Sequence, residues 1–178
     1  MSSPAPLTVI RRALGSSAIA LALALAGCSS SDADPTAPGG GDAPAGSLPD
    51  PCSFLTAADV EAVSGVPSQE GEYNDITSNA TQAVCDYHPV EGVFPLIEVY
   101  VAPDASSVAS QRESAEDMMG ASVDVTVPGA SNAYTILDGS ILGMAVGDYF
   151  VQVSYMTSDL DDVTALTIAL ASEVAAGL

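Results

Sequence analysis

The chain has no lysine and no tryptophan, one histidine, and three arginines against 23 Asp and Glu. With no basic patch, nucleic acid, heparin-like chains and anionic lipid head groups are not expected partners. One histidine and three cysteines leave no His/Cys cluster of the kind that zinc needs. No Gly-x-Ser-x-Gly elbow exposes a nucleophile, and His88, the one imidazole, precedes Pro89 at a strand end. Gly39-Gly40-Gly41 lacks the strand-to-helix setting of a phosphate-cradling loop. A carboxylate pair for glycoside hydrolysis is available by number, but few aromatics are present to grip a sugar. The chain is therefore read as not an enzyme, with no cofactor.

What is present begins with an export signal. Arg11 and Arg12 form a positive start, and Ala13–Ala26 is mainly apolar with Gly15, Ser16 and Ser17 early in the run. That run is shorter than the ~20 apolar residues a bilayer span requires. Leu25-Ala26-Gly27-Cys28 closes it as a lipobox, the pattern lipidated on cysteine and cut just before it. The expectation is a cleaved signal peptide over 1–27 and a lipidated Cys28. The alternative is an ordinary secretory cut that leaves Cys28 a plain thiol. The Arg11-Arg12 pair leaves general and twin-arginine export both open. Two or more acyl chains hold a membrane firmly without a spanning helix. The expected place is the extracytoplasmic face of the cell membrane, with the bilayer as a partner through the Cys28 anchor.

Cleavage before Cys28 would discard two of the three arginines and none of the carboxylates. One arginine, Arg112, would then face 23 acids, a net charge of about −22 with His88 neutral. Such a surface suits cations or a cationic protein partner in the envelope, and it also serves solubility. Residues 28–49 are read as the lipidated cysteine and a tether. Ser29–Pro49 is rich in Ser, Asp, Ala, Pro and Gly, cannot bury enough surface to order itself, and would reach about 25 Å. Residues 50–178 make one domain of ordinary size.

With Cys28 acylated, Cys52 and Cys85 remain, in an oxidising compartment, with one possible pairing. A disulfide closing their loop of about 34 residues would contribute about 3–4 kcal/mol on the chain-entropy model. A reactive Cys85, beside Asp86 and near His88, is the other reading.

The domain opens with a helix over Thr56–Ser64. Thr56 is its N-cap, Asp59 an acidic partner at N3, Leu55 and Val60 a staple, and Gly65 its stop. Val66–Ala80 reads as a long loop and Thr81–Tyr87 as a strand. Phe94–Ala102 alternates, with Val93, Pro95, Ile97, Val99 and Val101 expected in the core, and Phe94, Leu96, Glu98 and Tyr100 on the other side. Pro95 suggests an edge or a strand beginning. A second helix follows over Ala105–Met119, with Val108, Ala115 and Met118 or Met119 as its apolar stripe and an Arg112–Glu116 pair at i, i+4. Val123–Val127, Ala133–Leu137, Ile141–Val146 and Tyr149–Met156 are expected strands, the last three joined by turns at Asp138-Gly139 and Gly147-Asp148. Ser158–Asp161 opens a last helix with Val163, Leu166, Leu170 and Val174 facing the sheet. The expectation is a single α+β domain: a mostly antiparallel sheet of about five strands with three helices packed on it.

Pro51-Cys52-Ser53-Phe54-Leu55-Thr56-x-x-Asp59-Val60, the lipobox and the tether together resemble actinobacterial lipoproteins that share a domain of unknown function. A second cysteine about thirty residues on, at Cys85, and an aromatic after it, Tyr87, fit the same resemblance. Val127-Pro128-Gly129-Ala130-Ser131-Asn132-Ala133-Tyr134 resembles that family's Gly-x-Gly-Asp-x-Ala segment, without its second glycine. The resemblance implies a cell-envelope lipoprotein of no assigned reaction and supplies no catalytic residues.

Asp159, Asp161 and Asp162 are weak calcium candidates, since calcium takes oxygen ligands; acids at a helix N-terminus serve the helix dipole equally well. No EF-hand loop is present. The function expected is a noncatalytic binding or interaction domain. The alternative is a carrier or sensor of a small apolar ligand in a pocket between sheet and helices. A carboxylate-based hydrolase is a third reading.

Overall fold

A computed structural model describes residues 48–158 and 162–178. The signal peptide, Cys28, most of the tether, Asp159 and Asp161 lie outside these residues. The described residues fold as α+β, with three helices and one antiparallel sheet of seven strands rather than about five. The helices are α1 (Ala57–Ser64), α2 (Val108–Met119) and α3 (Thr164–Gly177). The strands are β1 (Glu72–Tyr73), β2 (Ala83–Tyr87), β3 (Leu96–Pro103), β4 (Val123–Asp124), β5 (Ser131–Ile136), β6 (Ile141–Val146) and β7 (Tyr149–Met156). Their spatial order is β1-β2-β3-β7-β6-β5-β4. Two meanders, one from each half of the chain, thus meet along β3 and β7, which pair from Leu96↔Met156 to Pro103↔Tyr149.

The strand that was not expected is β1, and the other edge strand, β4, is a trimmed form of an expected one. β1 lies inside the stretch expected to be loop, and β4 is shorter than the expected Val123–Val127. Two residues carry no alternation to read; these strands form by pairing with β2 and β5. The Asn74 N–H, just past β1, donates to the Val84 carbonyl.

Alternation along each strand assigns its side chains to two faces. On the inner face the registers bring Ile97 beside Tyr155, Val99 beside Val153, and Val101 beside Val151. Leu142, Met144 and Val146 of β6 extend this layer, and Cys85 and Tyr87 of β2 complete it. α3 covers it with Leu170, Ala171, Val174 and Ala175, and α1 adds Val60. These side chains fill the space between sheet and helices, each less than a tenth exposed.

α1 forms where expected. The Thr56 hydroxyl accepts from the Asp59 N–H at 3.2 Å, the Asp59 carboxylate accepts from the Thr56 N–H at 2.8 Å, and Gly65 ends the helix at φ 71°. The Thr56 hydrogen bonds hold the Asp59 carboxyl below its ordinary pKa. The start of the domain is fastened to the sheet at two points. Cys52 and Cys85 form a disulfide, with Cα atoms 5.2 Å apart. The Tyr87 hydroxyl, fully buried, donates to the Leu55 carbonyl at 3.0 Å. Burial raises the Tyr87 pKa to about 12.

Of the two readings of Pro95, the strand beginning holds: it precedes the first residue of β3, an interior strand. Two further expectations shift. Of the two methionines expected in the α2 stripe, Met118 is 77% exposed and Met119 is half-buried, while Val108 and Ala115 are buried. α3 begins at Thr164 with no acid in its first turn; Asp162 precedes it and accepts from the Thr164 N–H at 2.9 Å. The Gly147-Asp148 turn is the expected two-residue hairpin, with Val146 opposite Tyr149. Asp138 and Gly139 occupy the centre of the β5–β6 loop, where the Ser140 N–H donates to the Leu137 carbonyl.

Candidate functional site

The outer face of the sheet has two halves. Over β5 and β6 it is covered by α2, whose Val108 packs with Ala102, Tyr134, Ala145 and Phe150. Gly143 lets the Tyr134 ring lie flat across the strand; a Cβ there would stand 2.6 Å from the ring. Tyr100 meets Phe150 edge to face, centroids 6.0 Å apart. Arg112 fastens α2 down. Its guanidinium sits 5.4 Å from the Tyr134 ring centre, donates to Asp124 at 2.5 Å and to the Ser122 hydroxyl at 2.6 Å, and pairs with Glu116 at 3.3 Å. The expected i, i+4 pair is therefore one part of a wider clip. The carboxylates on Arg112 hold its proton more firmly than usual, Asp124 contributing most.

Among the described residues, no helix lies on the outer face over β2, β3 and β7. β3 presents Leu96, Glu98 and Tyr100 there, flanked by Val84 and Asp86 of β2 and by Gln152, Ser154 and Met156 of β7; Val84 and Ser154 are buried, and the longer side chains are half-buried or exposed. The register sets Glu98 directly opposite Asp86 on one side and Ser154 on the other. Asn74 Nδ2 donates to Asp86 Oδ2 at 2.8 Å, and Gln152 Nε2 donates to the Ser154 hydroxyl at 3.2 Å. Among the described residues no hydrogen bond or ion pair reaches the Glu98 carboxylate. Burial, and then the Asp86 charge, raise its pKa. Like charges directly opposite one another on neighbouring strands are unfavourable. The chain's described cation does not relieve this pair, because Arg112 is committed to Glu116 and Asp124.

The residues singled out by sequence do not converge with this face. Cys52 and Cys85 are bonded on the inner side. Asp162 is exposed just before α3, and the Thr164 hydrogen bond lowers its pKa. His88 is exposed past the end of β2; its carbonyl accepts from the Gln69 N–H and the Ser68 hydroxyl. Among the described residues no three His, Cys, Asp or Glu side chains gather as metal ligands. None of the described helices is long and apolar enough to cross a membrane. The alternation of β3 already set Glu98 and Tyr100 away from the core, but the partner Asp86 required the β2–β3 register.

Open grooves elsewhere are modest. One of about 350 Å³ runs beside β1, lined by Glu72, Tyr73, Asn74, Asp75, Ile76 and Asp86, and so adjoins the acidic pair. Another of about 500 Å³ lies between the β5–β6 loop and the end of α2, with Val123 and Leu137 on its wall.

Neither a protein-family model, nor a curated protein, nor a solved structure matches the chain.

Proposed function

We propose that the protein is a lipid-anchored envelope module that recognises a cationic protein without catalysing a reaction. The lipobox at Cys28 supports the anchor, and the Ser/Pro/Gly-rich stretch after it supports a spacer between bilayer and domain. The observation that carries the recognition reading is the open half of the outer sheet face. There a half-buried carboxylate lies opposite a second one, and the domain's own arginine is bound elsewhere. A carrier for an apolar ligand has less support, since buried side chains occupy the layer between sheet and helices where its pocket was expected.

Two measurements test this reading. Growth with an alkyne-bearing palmitate should label the full chain and leave it in the membrane pellet. Cys28→Ala should be unlabelled and released. For recognition, photo-reactive residues are placed in intact cells at Gln152 and Tyr100 on the open face, and at Glu61 and Glu173 on α1 and α3. A discrete protein adduct from any position is expected; no adduct from any of the four overturns the reading.

A further inference from the structure

We propose that the open half of the outer face docks a cationic amphipathic helix of its partner, with a lysine or arginine pairing with Glu98 and Asp86 and apolar side chains lying on Tyr100, Leu96 and Met156. This rests on the recognition reading above and names the surface and the chemistry of what it binds.

The covered half of the same face is the template. There an amphipathic helix, α2, lays Val108 and Ala115 on the sheet and brings one guanidinium to the carboxylate of Asp124 and the ring of Tyr134. The open half offers matching parts: an aromatic in Tyr100, apolar side chains at its margin, and carboxylates that, among the described residues, have neither a helix over them nor a cation beside them. Three adjacent strands at about 4.8 Å spacing make a strip wide enough for one helix of about 10 Å diameter. Charge decides what the helix must carry. A cation from the partner would relieve the like-charge opposition and offset the desolvation of Glu98. A second copy of this chain is a poor occupant, since 23 acids stand against three arginines.

The test uses the full chain in detergent micelles and two fluorescent peptides of identical composition. One places Lys and Leu at helical spacing; the other is scrambled to remove the amphipathic face. Anisotropy should show the first peptide binding more tightly than the second. Glu98→Gln and Asp86→Asn should each weaken it about tenfold, the scale of one desolvated charge pair. Glu61→Gln and Glu173→Gln, which remove the same charge from α1 and α3, should leave it within about twofold. Equal losses at all four positions, or equal binding of both peptides, would reduce the interaction to diffuse charge attraction and overturn the proposal. Displacement of the helical peptide by Ca²⁺ at constant ionic strength would overturn it as well, by making the pair a cation site. If the peptide arm fails while cellular adducts form at Glu61 or Glu173, recognition stands on another surface. If no position gives an adduct, the recognition reading falls with it.

Discussion

The two halves of the outer sheet face are built by the same alternation along different strands and end in opposite states. Over β5 and β6, small residues at Gly143 and Ala145 let Tyr134 and Phe150 lie low enough for α2 to close over them. Over β2 and β3, Asp86 and Glu98 take the positions that would underlie such a helix. Both halves have acids nearby. The difference is that one supplies its own arginine and the other supplies none.

Substitutions should separate the two halves by size and by sign. Phe150→Ala, under α2, is expected to cost about 3–5 kcal/mol in urea unfolding of the full chain, whereas Met156→Ala on the open half should cost less than about 1 kcal/mol. Similar losses at both would mean that the open half is as tightly packed as the covered one. Gly143→Ala should cost about 1–3 kcal/mol, because the Tyr134 ring occupies the space of the new methyl. Arg112→Gln should cost about 0.5–1 kcal/mol through the lost ring contact and ion pairs, and amide exchange should quicken in α2 before it does in α3.

Glu98→Gln should have the smallest effect and the opposite sign, a gain of about 0.2–1 kcal/mol at neutral pH. The Glu98 pKa is raised in the fold, so the native state takes up this proton more readily than the unfolded chain. Its contribution therefore improves as pH falls through the folded pKa, is complete below the unfolded carboxyl value, and is lost as pH rises. The glutamine variant should flatten that part of the stability profile. A loss of stability at pH 7 would mean that the Glu98 charge has a compensating partner.

Elements with a local chemical signal were legible in the sequence. Thr56, Asp59 and Gly65 cap α1 because each satisfies a backbone group within one turn, so no distant residue is needed. Val146 and Tyr149 bracket a glycine turn for the same reason. The disulfide followed from cysteine number and compartment, and the inner positions of β3 from alternation. What depends on pairing across distant strands was not legible. β1 exists only because β2 offers it a partner, and the β3–β7 junction joins the two halves of the chain. The opposition of Glu98 and Asp86 is of this kind, so the open face could be found only once register was known. The length of α3 also escaped, because acids before a helix read the same whether they start it or precede it.

The disulfide also sets how the domain would bear a pull. Tension applied along the chain from its N-terminal side reaches Cys52 and crosses the sulfur bridge directly to Cys85 in β2, bypassing the stretch between them. α1 and β1 lie within that stretch and carry none of the load. β2 passes it sideways into β3 through five paired positions. Such a pull would thus strain β2 and β3 first and leave α1 slack.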